Sequence, residues 1–266
     1  MLGAVIGDIA GSMYEFDNHR HKDISIFGRG NFFTDDSIMT LAVAKAIIES
    51  GKDLQALYRN AVRYMHDIGR DYIDADYGRR FRDWLESDCP FPYGSCGNGS
   101  AMRVSAVSWA AGSIADCKAL SHAVTFPTHN HPEGLKGAEC AAVCGFLART
   151  GSSKDEIREC VEKHYYSLDF TIDGIRPKYE FGEVCQNTVP EAVEAFLEAE
   201  SFEDAIRTAV SVGGDSDTLA AITGGIAECF WGIPRAMREK AFGKLDDRLS
   251  GIVREFEEIY PPVVTD

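Results

Sequence analysis

The stretch "GGDSDTLAAITGGIAECFWG", Gly213 to Gly232, sets two carboxylates and a hydroxyl behind paired glycines and then turns at once into an apolar run. That pattern predicts a buried helix with Asp215, Asp217 and Thr218 at its mouth. A second cluster of the same kind stands near the other end of the chain. There "FFTDDSIMTLA" offers Thr34, Asp35 and Asp36 ahead of the helical run "DDSIMTLAVAKAIIES", which ends before Gly51. A single Asp or Ser satisfies the orphan N–H groups of a helix start, so both clusters hold more acid than capping requires. The residue pattern alone leaves two readings open, capping with solvation and metal ligation.

Helical periodicity continues through "DLQALYRNAVRYMHDIG", "PEGLKGAECAAVCGFLARTG", "SKDEIRECVEKHY" and "TVPEAVEAFLEAESFEDAIRTAVSVGG". In the last of these Pro190 lies near a helix start, and Ser201 with Asp204 makes a second cap. "PRAMREKAF" and "LSGIVREFEEIY" close the chain. Only "DISIFGR" and "YSLDFTI" have strand composition, and neither makes a sheet. The expectation is an all-α, compact multi-helix body forming a single domain over residues 1–266. Ser167 to Asn187 is the best candidate for a boundary, but apolar helices continue after it unchanged in character. Glycine and alanine within "GAVIGDIAGS" and "AAITGGIAE" predict close helix packing, despite the helix-propensity cost of glycine. The irregular segments "FDNHRHKDISIFGRGNFF", "CPFPYGSCGNGS" and "TFPTHNHPEG" are where such a scaffold would present a site.

With 266 residues and 45% hydrophobic content, the chain buries a large core without help from disulfides. Forty-two acidic residues against 27 Lys and Arg give a net charge of -15, which opposes approach to nucleic acid or an anionic membrane. No run of 18 apolar residues occurs, and the opening "MLGAVIGDIAGSMYEF" lacks the basic region and length of a signal peptide, so it reads as the first helix. The eight cysteines form no CxxC; they read as buried small apolar residues, and a reducing cytoplasm is the natural compartment.

Oxygen donors of Asp and Thr type suit Mg²⁺ or Mn²⁺, and no His and Cys set argues for zinc. Packed together without positive charge, such carboxylates would have raised pKa values. In "GDIAGSMYEF", Asp8 and Ser12 are four apart and Glu15 lies seven beyond Asp8, two turns along one helix face. In "PYGSCGNGSAMRV", Gly94, Gly97 and Gly99 surround Ser95 and Asn98, a backbone able to curl its N–H groups toward phosphate oxygens. A helix over "SAMRVSAVSWAAG" would add its N-terminus to that nest. His129 and His131 of "THNHPEG" suit hydrogen bonding to a substrate or capping of the next helix better than holding a metal as a pair.

Taken together, "GDIAGSMYE", "FTDDS", "YGSCGNGSAMRV", "PTHNHPEGLKGA" and "GGDSDTLAAITGGI" resemble the ADP-ribosylglycohydrolase family, in family order from Gly3 to about Trp231. The resemblance implies an all-α fold with a central cleft holding two Mg²⁺ or Mn²⁺ ions on Thr34, Asp35, Asp36, Asp215, Asp217 and Thr218. It makes Glu15 the catalytic or water-positioning carboxylate. It assigns substrate binding to Gly94, Ser95, Cys96, Gly97, Asn98, Gly99 and His129. The implied reaction is metal-dependent hydrolysis of the glycosidic bond between ADP-ribose and an acceptor. That acceptor is a modified protein side chain or a small conjugate, with modified nucleic acid not excluded, and the enzyme is expected to be a cytoplasmic monomer without membrane association. Where the similar branch often has an aromatic residue before GNG, this chain has Cys96, leaving Tyr93, Phe126 or Tyr179 to supply a platform for adenine. The competing classes are a non-catalytic ADP-ribose-binding or structural protein and a hydrolase of another phosphorylated nucleotide.

Overall fold

Helices dominate the computed structural model, which describes residues 1–51 and 53–266. In chain order they are α1 (Leu2–Gly11), α2 (Asp35–Ser50), α3 (Leu54–Gly69), α4 (Arg79–Glu86), α5 (Ser105–Ala110), α6 (Ile114–Thr125) and α7 (Pro132–Arg149). The second half adds α8 (Lys154–His164), α9 (Ile172–Ile175), α10 (Val189–Glu198), α11 (Phe202–Val210), α12 (Ser216–Trp231), α13 (Arg235–Phe242) and α14 (Asp247–Ile259). The sheet found among the described residues is a two-residue parallel pairing of β1 (Ile233–Pro234) with β2 (Val264–Thr265). "DISIFGR" and "YSLDFTI" form no strand. The all-α expectation holds.

At the centre lies α12, buried from Ser216 to Cys229 and packed by α1, α7, α10 and α11. Its closest neighbour is α1, which runs antiparallel to it, and the glycines explain how near the two backbones come. A Cβ at Gly3 would overlap the Gly224 carbonyl, one at Gly7 the Ala220 carbonyl and one at Gly11 the Asp217 backbone. Gly3, Gly7 and Gly11 recur every four residues and therefore form one stripe on α1. The propensity cost of these glycines is offset by backbone-to-backbone packing that no larger side chain permits. Around the stripe, Leu2, Val5, Ile6 and Ile9 of α1 and Leu219, Ile222 and Ile226 of α12 join the core. At the far end, Glu228 accepts the Gly3 N–H at 2.7 Å, closing the start of α1.

Two expected helices stop short. α1 ends at Gly11 because Asn31 donates its amide to the carbonyls of Ile9 and Ala10, at 2.9 and 3.2 Å, capping the last turn from outside. Glu15 therefore lies in the turn after α1 and not two helical turns along the face of Asp8. The helix expected over "SAMRVSAVSWAAG" is a 3₁₀ turn at Asn98–Ser100, and α5 begins only at Ser105. The intervening chain is tied to three other elements. Ser100 donates to the Gly134 carbonyl, the Met102 carbonyl accepts from Thr40, and Arg103 donates to Thr128.

The cysteines are all free: Cys117, Cys140, Cys144, Cys185 and Cys229 are buried as expected, whereas Cys89 is exposed. No helix among the described residues is long and apolar enough to cross a membrane.

Candidate functional site

A cavity of about 390 Å³ opens where the N-terminal ends of α2, α4 and α12 meet the turn after α1 and the Gly-rich loop. One end is acidic. The close α1–α12 contact brings the turn carrying Glu15 to the start of α12, and carboxylate oxygens of Glu15, Asp215 and Asp217 lie within 4.8 Å of one another. Asp35, Asp36 and Thr218 line the same end. Thr218 donates to Asp36 at 3.2 Å, joining the starts of α2 and α12.

Capping takes little of this acid: Asp217 Oδ1 accepts the Thr218 N–H at 2.9 Å, and the rest is left over. The N-cap of α2 is Thr34, whose hydroxyl accepts the Asp36 N–H at 3.3 Å. Asp215, at the N-cap of α12, makes no side-chain capping bond and instead accepts from the Asn98 amide at 2.6 Å. The choice between capping and ligation that the sequence left open thus tilts toward ligation, and Asp36 Oδ1 is buried with no partner at all. Helix N-termini beneath the carboxylates supply partial positive charge, but within the first turn only.

Burial is the main force on their titration. It raises the carboxyl pKa values of Asp35, Asp36 and Asp217 well above the usual range, and neighbouring carboxylates push the same way. Glu15 is pushed up to about 7 by burial first and then by Asp215. Such a cluster is unfavourable as bare anions and favourable around a divalent cation. The donor set, all oxygen, fits a hard ion such as Mg²⁺ or Mn²⁺.

Asp8 organises the acid end from behind and was not singled out as a site residue. Fully buried on α1, it accepts Thr34 N–H at 2.9 Å, Thr34 hydroxyl at 2.7 Å, Ser37 N–H at 3.1 Å and the Ser37 hydroxyl. It thereby fixes the start of α2. Burial raises its pKa to about 6 against the pull of those four donors. Thr34 consequently spends its hydroxyl proton on Asp8 and lies outside the cavity lining. The sequence signal was present in the pairing of "GDIAGS" with "TDDS", but the register of α1 on α2 is needed to read it.

From the Gly-rich segment, Ser95, Gly97, Asn98 and Gly99 line the cavity, whereas Gly94 and Cys96 are not among its lining residues. Gly94, at φ +66°, donates its N–H to Asn130, and the Cys96 carbonyl accepts from Cys185 N–H at 3.0 Å. The two histidines divide their duties. His131 Nδ1 accepts Glu133 N–H at 3.1 Å and caps α7, while His129 is buried against the cavity. Arg103 donates to the Thr128 hydroxyl at 2.7 Å, which leaves the Thr128 proton for His129 Nδ1, also at 2.7 Å. We assign the ring proton of His129 to Nε2, beside Gly97 and Gly99, because Nδ1 is the acceptor within reach of the Thr128 hydroxyl proton. Burial, followed by Arg103 and Arg80, holds its pKa well below normal, so the ring is neutral.

Of the candidate platforms, Tyr93 lines the cavity, Tyr179 packs against Gly214, and Phe126 follows α6, its ring 5.1 Å from that of His122. The cavity is also lined by Arg79, Arg80 and Arg103, of which only Arg103 fell within a sequence motif, "YGSCGNGSAMRV".

The model of the ADP-ribosylglycohydrolase family matches residues 1–261. Curated relatives include ADP-ribosylhydrolase ARH3 of Mus musculus, 24% identical over 97% of this chain and 91% of that protein. ADP-ribosylarginine hydrolase Tri1 of Pseudomonas putida is 24% identical over 88% of this chain and 70% of its own length. ADP-ribosyl-[dinitrogen reductase] glycohydrolase of Rhodospirillum rubrum is likewise 24% identical, over 87% and 84%. Among solved structures, a chain of an ADP-ribosylglycohydrolase-related protein complex superimposes with a TM-score of 0.67 over 97% of both chains at 20% identity, a likeness of fold.

Proposed function

Since the chain belongs to the ADP-ribosylglycohydrolase family, we propose that it hydrolyses the glycosidic bond joining ADP-ribose to an acceptor, a modified protein side chain or a small conjugate, and releases ADP-ribose. The observation that carries this reading is the meeting of Glu15, Asp215 and Asp217 at one end of a cavity whose wall is Gly97, Asn98, Gly99 and His129. The relatives act on different acceptors by name, so the acceptor is a matter for experiment. The protein works as a single domain in a reducing, cytoplasmic setting.

Asp35, Asp36, Asp215, Asp217 and Thr218 would hold two Mg²⁺ or Mn²⁺ ions, with Thr34 as a further oxygen donor once its bond to Asp8 is exchanged. Bound there, such ions would neutralise the carboxylates and supply Lewis-acid positioning of the ribose hydroxyls. The chain's own groups do the rest. Asn98 holds Asp215 in place through its 2.6 Å hydrogen bond. Ser95 and the loop Gly97–Gly99 receive the diphosphate and the distal ribose, and the Nε2–H of neutral His129 donates to a substrate oxygen. As the C1″ bond breaks, its electron pair leaves with the acceptor, which takes up a proton from solvent, and the positive charge that develops on the ribose ring is met by the attacking water. Glu15, its carboxylate within 4.8 Å of those of Asp215 and Asp217, orients the attacking water and takes its proton.

The test is product analysis on defined arginine-linked, serine-linked and acetyl-linked ADP-ribose substrates, with Mg²⁺ or Mn²⁺. Metal-dependent release of free ADP-ribose is expected. Release of AMP or phosphate would assign phosphate-ester or anhydride chemistry instead, and ADP-ribose binding without turnover would assign a binding protein.

A further inference from the structure

We infer that Arg79 and Arg80 at the start of α4, together with Arg103 from the end of the Gly-rich segment, form a phosphate-binding arm of the cleft. The inference rests on the proposed ADP-ribose reading for the identity of its ligand, and on charge and geometry for its existence.

Arg79, Arg80 and Arg103 line one cavity, where the question is whether a carboxylate meets them. Among the described residues Arg79, Arg80 and Arg103 have none in ion-pair range. Asp76 and Glu183 line the same cavity without pairing with them. Arg80 donates to the Tyr93 carbonyl and Arg103 to the Thr128 hydroxyl, both neutral acceptors, so three guanidinium charges along one cavity stand without a counter-charge and point to an anion supplied from outside. Arg103 is the clearest case: it is 1% exposed, among the largest fully buried side chains, and its Nε has no partner. A buried cationic donor without an acceptor is costly, and a phosphoryl oxygen would satisfy it. Burial already pushes its pKa down to about 10.

The backbone adds to this. Gly78, the N-cap of α4, provides no side-chain cap, and Gly78, Arg79, Arg80 and Phe81 all line the cavity, so the free N–H end of the helix faces it. The helix is held in that pose. Phe81, Trp84 and Leu85 bury its inner face, Arg70 binds the Leu85 and Ser87 carbonyls at its C-terminal end, and Arg82 donates to the Ile73 carbonyl. Arg103 lies 5.8 Å from the Phe81 ring, and Arg80 covers the Tyr93 ring at 4.8 Å, so the cations and the helix end form one wall.

The shared chemistry is a phosphate group, and two sources offer one: the diphosphate of ADP-ribose, or a monoester on its adenosine ribose, as in ADP-ribose 2′-phosphate. Titration calorimetry of the Mg²⁺-loaded protein with both ligands separates them, using an Arg79→Ala, Arg80→Ala double variant whose changes are exposed and spare the core. Loss of at least about 10-fold in affinity for both ligands, the scale of one or two charge-assisted hydrogen bonds, assigns the arm to the diphosphate. A loss confined to the 2′-phosphate assigns the monoester. Unchanged affinity for both overturns the arm. If the wild-type protein fails to bind ADP-ribose, the proposed function falls, and inorganic pyrophosphate then decides the arm on its own. Binding that weakens in the double variant upholds it, and no pyrophosphate binding by the wild type overturns it.

Discussion

Replacing Gly7 by alanine tests the link from helix packing to site. In an isolated helix the change is favourable by about 1 kcal/mol. Here the new Cβ would overlap the Ala220 carbonyl and stand 2.6 Å from the Ala221 nitrogen, where ordinary contact begins at 3.4 Å. Both obstacles are backbone, so relief requires α1 to move from α12 by roughly 1 Å or more. Overpacking of this kind costs about 1–3 kcal/mol, and the propensity gain offsets only part of it. The same displacement carries Asp8 away from Thr34 and Ser37 and loosens the turn holding Glu15 against Asp217. Turnover should therefore fall on the order of 10²-fold, the usual consequence of a reacting group misplaced by about 1 Å. Gly251 in α14 supplies the control: it is exposed with nothing within 4 Å of its Cβ position, and Gly251→Ala should stabilise by about 0.5–1 kcal/mol. Urea unfolding of both variants, beside metal titration and single-turnover rates, reads all of these effects. A Gly7→Ala protein as stable as Gly251→Ala with normal metal affinity would refute the reasoning.

Asp217→Asn should weaken Mn²⁺ binding and activity together, measured by calorimetric titration and turnover; unchanged affinity removes it from the ligand set. For Glu15→Gln we expect turnover to drop roughly 10²-fold with ADP-ribose affinity within a few fold, whereas a parallel loss of metal affinity would reassign Glu15 to holding an ion. Asn98→Ala should lower metal affinity as well as ADP-ribose affinity, because Asn98 donates to Asp215; calorimetry showing a loss of ADP-ribose binding alone would contradict that coupling. The metal-free protein should lose stability as pH rises from about 4 to 8. Asp8 and Glu15, lifted to about 6 and about 7, and Asp35, Asp36 and Asp217, raised well above the usual carboxylate range by burial, hold protons in the folded state that the unfolded chain has released. Saturating Mg²⁺ should cancel the slope by binding the deprotonated cluster, and melting temperatures of the metal-free protein that rise over this range would exclude the effect.

Helix identity was local information. Apolar spacing and capping residues in "DDSIMTLAVAKAIIES" and "ESFEDAIRTAV" mark α2 and α11, with Ser201 bonded to Asp204 as expected. The acid surplus at Asp35, Asp36, Asp215 and Asp217 was equally visible, since counting side chains against orphan N–H groups needs no coordinates. Where helices stop was not local. α1 ends because Asn31, twenty residues away, takes its last carbonyls, and the Gly-rich segment stays irregular because Thr40, Thr128 and Gly134 hold it. The same holds for partners across the chain. Asp8 serving Thr34 and Ser37, Asn98 holding Asp215, and the unpaired arginines of α4 and Arg103 depend on which surfaces meet. A sequence specifies each element through short-range spacing, but the charges that face one another across a cleft are fixed by tertiary packing, here by glycines that let α1 and α12 touch backbone to backbone.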